Sequence, residues 1–214
     1  LYKPEKNNKL KFSISVPRAS YIADTLYAYL AKVRFDRNVK VDFRETNSRR
    51  IIKNVASGDN TIGIVRFNTC YENYFMQFIE EKDLHSRLLY EFDCQMLMSK
   101  KHPLVHADYI DDAAAERFTE VNYGDLTIPL LPVSKMTEIM TKLEKRKSIS
   151  VYDRQSQYEI LSRYPCCYSL CSPVEPDMLS RYDLVQRDCG VSDNHCKDVL
   201  IYRRGYVFSE DDKR

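Results

Sequence analysis

The sequence GDNTIGIVR, at residues 58–66, is the stretch that decides the fold of this chain. Gly58 is typical of the residue that ends a helix, and the residues after it predict a tight turn and then a buried strand closing at Arg66. A second signature, KKHPL at residues 100–104, follows the apolar run CQMLM at 94–98 and turns the chain sharply. Together they indicate buried strands separated by turns and helices.

The sequence before Gly58 predicts alternating strands and helices. Residues 10–16 alternate apolar and polar side chains, which is typical of a half-buried strand. Ser20 is the predicted N-cap of the first helix. The elements predicted from there to the end of the signature are a helix over 21–33, a strand over 39–43, a helix over 49–57 and a strand over 61–66. This order favours a parallel sheet covered by helices.

The remaining sequence predicts a second unit of the same kind. The expected helices are 71–82, 107–118, 133–145, 155–163 and 176–181, and the expected strands are 88–98, 120–123, 148–152, 167–171, 184–188 and 199–204. We therefore predict an α/β fold of two Rossmann-like lobes joined by crossing strands. The first lobe is expected to contain residues 10–90 and 190–214, and the second residues 91–189, with residues 1–9 the end of a linker.

Composition excludes several classes of protein. The chain has 214 residues, 43% of them hydrophobic and 30% charged, which is ordinary for a soluble globular protein. The net charge of +2 gives no basic field for gripping nucleic acid. No apolar run is long enough to span a membrane. The seven cysteines are odd in number and irregular in spacing, so reduced cytoplasmic thiols are expected instead of a disulfide scaffold.

The two signatures, together with the opening strand LKFSIS at residues 10–15, resemble the effector-binding domain of LysR-type transcriptional regulators. The resemblance implies the fold of type 2 periplasmic binding proteins, with a ligand cleft between the lobes. It also implies a winged helix-turn-helix domain that precedes such a domain and lies outside this chain. The sequence departs from the family pattern at Asn60 and Thr61, where the family usually has an apolar residue and Asp.

The function implied by this resemblance is ligand sensing by a cytoplasmic bacterial transcription factor. A small effector, such as a carboxylate or an aromatic metabolite, would bind between the lobes of a dimer or tetramer, and DNA would be bound only through the missing domain. Helix 21–33 packed against helix 133–145 of a second copy is the expected dimer surface. Two alternatives stay open: a solute-binding protein of a transporter, and an enzyme on the same fold.

Candidate ligand-binding residues follow the predicted strands, because ligands of such sheets bind beyond the carboxyl ends of strands, at helix N-termini. Three loops fit this rule. The polar residues they offer are Arg18 and Ser20 after the first strand, Thr46, Asn47 and Ser48 after the second, and Asp153 and Arg154 in the second lobe. Each hydroxyl or amide there is equally suited to capping its helix.

Arg66, at the end of its strand, is a candidate for gripping a carboxylate in bidentate fashion, and Arg18 is a candidate for the same role. A surface ion pair of Arg66 with Glu72 is the alternative. Across the predicted cleft, Asn122 and Tyr123 end a strand, and the Tyr123 ring is placed to close over a ligand.

No catalytic residue, cofactor or metal site is predicted. The sequence has no nucleophilic triad and no dinucleotide fingerprint, and the glycines at 58 and 63 lack the Lys-Ser/Thr of a phosphate loop. The cysteines contain no Cys-x2-Cys pair for zinc. Cys167 and Cys171 are expected to face the core, and a redox-sensing cysteine pair is a minor alternative.

Overall fold

The computed structural model describes residues 9–33, 35, 38–125 and 147–208. The strands are β1 Lys9–Val16, β2 Asn38–Glu45, β3 Ile62–Asn68, β4 Leu84–Asp93, β5 Gln95–Ser99, β6 Thr119–Tyr123, β7 Ser148–Val151, β8 Cys167–Cys171, β9 Leu184–Arg187 and β10 His195–Arg203. The helices are α1 Ser20–Leu30, α2 Ser48–Ser57, α3 Glu72–Glu81, α4 Asp112–Ala115, α5 Arg154–Arg163 and α6 Pro176–Arg181, and short 3₁₀ turns cover Thr69–Tyr71 and Pro103–His106.

These strands form two five-stranded sheets within the described part of the chain. The first has the order β2-β1-β3-β10-β4 and the second β7-β6-β8-β5-β9. The chain leaves the first sheet at Cys94, between β4 and β5, and returns between β9 and β10. We call the first sheet with α1–α3 the first lobe, and the second sheet with α4–α6 the second lobe. The predicted α/β fold of two lobes joined by crossing strands is confirmed, whereas the boundaries after residues 90 and 189 stay a prediction.

The decisive sequence stretch folds as its residues dictate. Gly58 ends α2 with φ of 85°, in the left-handed region that glycine adopts without strain. Gly63 lies under α2, and a Cβ there would be 2.7 Å from Ile51 Cγ2 and 2.9 Å from Val55 Cγ2. The absent side chain therefore lets α2 approach the first sheet closely. Ile51, Val55 and their neighbours form the core on this face.

Asn60, where the sequence departs from the family pattern, has a structural role. Its side chain is fully buried and accepts a hydrogen bond from Ser15 Oγ at 2.6 Å. The same amide donates to Ser13 Oγ at 2.8 Å, and Asn54 Nδ2 of α2 donates to Ser15 Oγ at 3.0 Å. The turn after α2 is thus tied to β1 by a buried polar network.

Two predicted elements are wrong in extent. The strand predicted over 88–98 is β4 and β5, which belong to different sheets and are separated at Cys94, where the N–H donates to Asn194 O at 2.8 Å. The helix predicted over 107–118 is reduced to α4, because Asp111 caps it by accepting from Ala114 N–H at 2.8 Å. The residue before the cap, Ile110, is buried in the second-lobe core.

A third correction concerns the start of α1. Ser20 is not its N-cap but its first helical residue, and Ala19 is the cap without a side-chain hydrogen bond. The Ser20 side chain is buried inside the first turn of α1 and does not stand at the helix end. The helix predicted over 133–145, with the dimer surface proposed on it, lies outside the described residues. None of the described helices is both long enough and apolar enough to cross a membrane.

Candidate functional site

A cavity of about 340 Å³ lies between the two lobes. The residues that line it come from both lobes and from the crossing segment at Cys94. They are Pro17, Arg18, Thr46, Asn47, Ser48, Arg49, Arg66, Phe67, Asn68, Tyr71, Phe75, Cys94, Tyr123, Leu170, Cys171, Ser172 and Cys196. Most of the surface of this wall is apolar, so the cavity suits a ligand with an apolar body.

The N-terminus of α2 forms one end of the cavity, and Thr46, Asn47 and Ser48 line it there. Asn47 caps the helix by accepting from Arg50 N–H at 2.9 Å, and the Ser48 hydroxyl donates to the carbonyl of Arg66. Both side chains therefore have protein partners. Capping is the alternative role predicted from the sequence, and Asn47 has that role in the cavity wall.

Arg66 also lines the cavity, but its guanidinium is already paired. Nε donates to Asp198 Oδ1 at 2.8 Å and Nη2 to Asp198 Oδ2 at 2.6 Å, while Nη1 donates to Ser172 Oγ at 3.0 Å. Asp198 is fully buried, and Tyr21 OH also donates to it. The alternative ion pair with Glu72 does not form, since Glu72 accepts from Lys197 Nζ at 2.9 Å.

The pKa values of this cluster follow from burial and from the buried carboxylate. Burial opposes the charge of Arg66, but the hydrogen bonds and charge of Asp198 outweigh it and raise the Arg66 pKa. Burial, reinforced by Asp198, raises the pKa of Tyr21. Arg66 is therefore a permanent cation whose charge is neutralised within its own lobe.

Arg18 is paired across the cleft instead. Its Nη1 and Nη2 donate to the two oxygens of Asp125, at 2.8 and 2.9 Å, and its guanidinium lies 4.8 Å from the centre of the Tyr123 ring. Asn47 Nδ2 donates to the same carboxylate at 3.3 Å. Burial would raise the pKa of Asp125, but the hydrogen bonds and charge of Arg18 outweigh it and lower that pKa.

Tyr123 of the second lobe also lines the cavity. Its hydroxyl donates to Gln157 Oε1 at 2.8 Å, and burial raises its pKa, so the hydroxyl stays protonated. The neighbouring Asn122 points elsewhere on β6, where it accepts from Ser150 Oγ at 3.1 Å and does not line the cavity.

Three further predicted residues lie outside the cavity wall. Ser20 is buried in α1. Asp153 caps α5 by accepting from Ser156 N–H at 2.8 Å, and these hydrogen bonds lower its pKa. Arg154 pairs with Glu45 of β2 at 2.8 Å, which makes a second ion pair between the lobes.

Sequence reasoning missed the aromatic and neutral parts of the wall. Phe67, Tyr71 and Phe75 come from β3, the following 3₁₀ turn and α3, and Leu170 and Ser172 come from the end of β8. The position of Phe67 beside Arg66 is a usable signal, because both lie at the carboxyl end of a buried strand. The Arg66–Asp198 pair has no such signal, since the two residues are 132 positions apart.

The histidines and cysteines within the described ranges have structural surroundings. No group of three metal-binding side chains lies together in the described ranges. His102 Nδ1 accepts from Leu104 N–H at 3.0 Å, and burial lowers the pKa of His102 to about 4, so it is a neutral capping group. Cys167 lies in the second-lobe core, and Cys171 packs against the same core while also lining the cavity.

Comparison with known proteins identifies the fold. No protein-family model matches the sequence, and no curated protein matches it significantly. Among solved structures, the effector-binding domain of QuiR in complex with shikimate is similar, with a TM-score of 0.63, 14% identity, 95% of this chain covered and 92% of that chain. The Synechocystis PCC6803 CcmR regulatory domain in complex with 2-PG has a TM-score of 0.61 and 12% identity, over 96% of this chain and 92% of that one.

The reduced OxyR regulatory domain from Pseudomonas aeruginosa is similar as well, with a TM-score of 0.60 and 10% identity, over 94% of this chain and 92% of that one. All three are regulatory or effector-binding domains of LysR-type regulators. The chain therefore has the two-lobed, periplasmic-binding-protein-like fold of these domains, and the resemblance seen in the sequence is confirmed for the fold.

Proposed function

We propose that this chain is the ligand-sensing domain of a LysR-type transcriptional regulator and not an enzyme. The observation that carries the proposal is the cavity of about 340 Å³, which is lined from both lobes and from the crossing segment at Cys94. A ligand in this position contacts groups whose spacing depends on the angle between the lobes. It therefore favours one angle by its difference in affinity for the two arrangements.

The charges of the cavity define the class of effector. Arg66 and Arg18 are neutralised by Asp198 and Asp125, so neither guanidinium is free to grip a ligand carboxylate. Arg49, in the first turn of α2, forms no ion pair with a carboxylate within the described ranges. We infer an effector with an apolar, aromatic-sized body against Phe67, Phe75 and Leu170, and at most one anionic end beside Arg49.

The remaining parts of the proposed function are inferred from the similarity to the solved regulatory domains of LysR-type regulators. In this proposal the protein acts in the cytoplasm as a dimer or tetramer, and DNA is bound by a winged helix-turn-helix domain outside this chain. The lobe angle set by the effector passes to that domain through contacts between subunits. The first lobe carries most of the polar groups of the cavity, and the second lobe moves over it.

The test is a thermal-shift screen with small aromatic and aliphatic acids and their neutral analogues. A ligand at a hundred times its Kd adds about 2.7 kcal/mol to the free energy of unfolding. For a chain of this length we expect Tm to rise by roughly 5–10 °C. Leu170→Trp fills the cavity and should abolish the shift, whereas Ile149→Trp, at an exposed position of the same lobe, should leave it unchanged.

The position of the anionic end is tested by Arg49→Gln. Loss of a charge-assisted hydrogen bond should weaken binding of an acid by about 10- to 100-fold, and binding of its neutral amide much less. Arg50→Gln is the matched control, because Arg50 is the adjacent cation but is exposed and does not line the cavity. A ligand that binds Leu170→Trp as tightly as the unmodified protein would contradict the proposed site.

A further inference from the structure

Two thiols meet in the wall of the cavity where the chain crosses between the lobes. Cys94 joins β4 to β5, and Cys196 is the second residue of β10, and their Sγ atoms are 3.6 Å apart. Both residues line the cavity. The two segments are held side by side, because Cys196 is paired with Phe92 and Cys94 N–H donates to Asn194 O at 2.8 Å.

This separation is within reach of a covalent bond. A disulfide has an S–S length of about 2.05 Å, so side-chain rotation has to bring the sulfurs closer by roughly 1.5 Å. Cys94 is partly exposed, whereas Cys196 is only 8% exposed. The hydrogen bond with Cys94, together with burial, raises the pKa of Cys196, so Cys196 keeps its proton at first. Cys94 is therefore the thiol that reacts first with a small molecule in the cavity.

We propose that Cys94 and Cys196 form a reversible disulfide by exchange with a small organic disulfide, which gives the domain a second input besides its effector. The Cys94 thiolate attacks one sulfur of the small disulfide, whose S–S bond breaks and releases one thiol. Cys196 then loses its proton to solvent and attacks the Cys94 sulfur of the mixed disulfide, which releases the second thiol. Two protein thiols are oxidised, and one small disulfide is reduced to two thiols.

Two other thiols, those of Cys189 and Cys171, have hydrogen-bond partners other than a thiol. Cys189 Sγ donates to the carbonyl oxygen of Cys94 at 3.6 Å, and Cys171 accepts from Gln186 Nε2 at 3.3 Å. The closed bond would join the crossing segment at Cys94 directly to β10 at the cavity. It would therefore restrict the change of lobe angle that an effector sets.

The test uses the whole chain with the exposed Cys70 and Cys166 replaced by Ser, so that molecules do not link to one another. The protein is equilibrated with hydroxyethyl disulfide and mercaptoethanol at set ratios, then unfolded, and its free thiols are counted and mapped by differential alkylation and mass spectrometry. Of the five thiols left from the chain's seven, we expect two to be lost together, in a peptide pair that links Cys94 to Cys196. Dithiothreitol should restore both.

Variants separate this pair from its neighbours. Cys94→Ser and Cys196→Ala should each abolish the linked peptide pair, and Cys189→Ala should leave it intact. If Cys196→Ala fails to fold, Cys94→Ser provides the same test, because Cys94 is partly exposed and tolerates substitution better. Retention of all five thiols, a stable mixed disulfide, or a link between Cys94 and Cys189 would overturn the proposal. No effector is needed for this measurement, so its failure would leave the proposed function untouched.

Discussion

The two walls of the cavity differ in charge. The first-lobe wall carries the guanidinium groups of Arg18, Arg49 and Arg66, whereas the second-lobe residues that line the cavity are neutral, such as Tyr123 and Leu170. Arg66 is neutralised by Asp198 within the same lobe, and Arg18 is neutralised by Asp125, which follows β6 of the other lobe.

The two ion pairs therefore have different roles: Arg66–Asp198 lies within one lobe, and Arg18–Asp125 connects the two lobes. Arg66 and Asp198 lie on neighbouring strands, β3 and β10, where they are directly paired in the sheet. Their contact therefore persists at any lobe angle. The Arg18–Asp125 contact exists only while the lobes lie at the present angle. The first pair holds the wall in shape, and the second reports how the lobes are placed.

The largest expected effect comes from breaking the structural pair. Asp198→Asn leaves the Arg66 cation without its carboxylate at a buried position, because Asp198 is fully buried and the Arg66 side chain is 17% exposed. We expect the free energy of unfolding to fall by about 3–5 kcal/mol. Urea unfolding followed by circular dichroism measures this loss.

The control for that variant is the neighbouring ion pair on the same strand. Lys197 pairs with Glu72 at 2.9 Å near the surface, and Lys197→Gln should cost only a small fraction of the Asp198→Asn loss. The double variant Arg66→Met with Asp198→Leu should regain much of the stability, since it removes both buried charges. Equal losses for Asp198→Asn and Lys197→Gln would show that the pair is not structural.

The contrast between these pairs also marks the limit of what the sequence predicts. The elements around residues 58–66 follow from local signals, such as the Gly58 turn and the apolar alternation of β1 and β3. Arg66 lies two residues before the end of β3 and lines the cavity, while its predicted ligand contact stays a prediction. Its partner was not found, because hydrogen bonding between Arg66 and Asp198 depends on the pairing of β3 with β10.

A second, smaller effect tests how rigid the first-lobe wall is. Gly63→Ala places a methyl group under 3.0 Å from the side chains of Ile51 and Val55, which are both fully buried in α2. We expect overpacking to cost about 1–3 kcal/mol of unfolding free energy and to displace α2, whose N-terminus forms one end of the cavity. Chemical denaturation measures the first effect, and loss of ligand-induced Tm shift measures the second.

Gly190→Ala is the matched change near the second lobe. The three atoms nearest to a Cβ there all belong to Tyr109, whose side chain is 68% exposed and can turn towards solvent. Its cost in unfolding free energy should therefore be clearly smaller than that of Gly63→Ala. A larger loss for Gly190→Ala would contradict the view that the first lobe is the tightly packed wall.

The error in the strand predicted over 88–98 has the same origin as the missed partner of Arg66. The apolar run over 88–98 contains no Gly or Pro, so local pattern gave no reason to divide it. The division at Cys94 is set by β10, whose neighbouring residue Asn194 accepts the Cys94 N–H. Contacts between distant parts of the chain therefore determine both the break between β4 and β5 at Cys94 and the pairing of Arg66 with Asp198.

The smallest expected effect is a difference in pH dependence between the two ion pairs that cross the cleft. Arg18 holds the pKa of Asp125 below its usual 3.8, against the effect of burial. Burial raises the pKa of Glu45 above its usual 4.5, although Arg154 opposes the shift. On acidification Glu45 should therefore be protonated first, and the Arg154–Glu45 pair should be lost while Arg18–Asp125 persists.

The two carboxyl groups also affect stability with opposite sign. The stabilising contribution of Asp125 is complete above its unfolded pKa and is lost as pH falls through its lower folded value. Folding disfavours ionised Glu45, so its cost is relieved as pH falls through its raised value. Carbon-13 NMR titration of the side-chain carboxyls, assigned with Glu45→Gln and Asp125→Asn, should give midpoints above 4.5 for Glu45 and below 3.8 for Asp125. The reverse order would mean that Arg18 does not hold Asp125 across the cleft in solution.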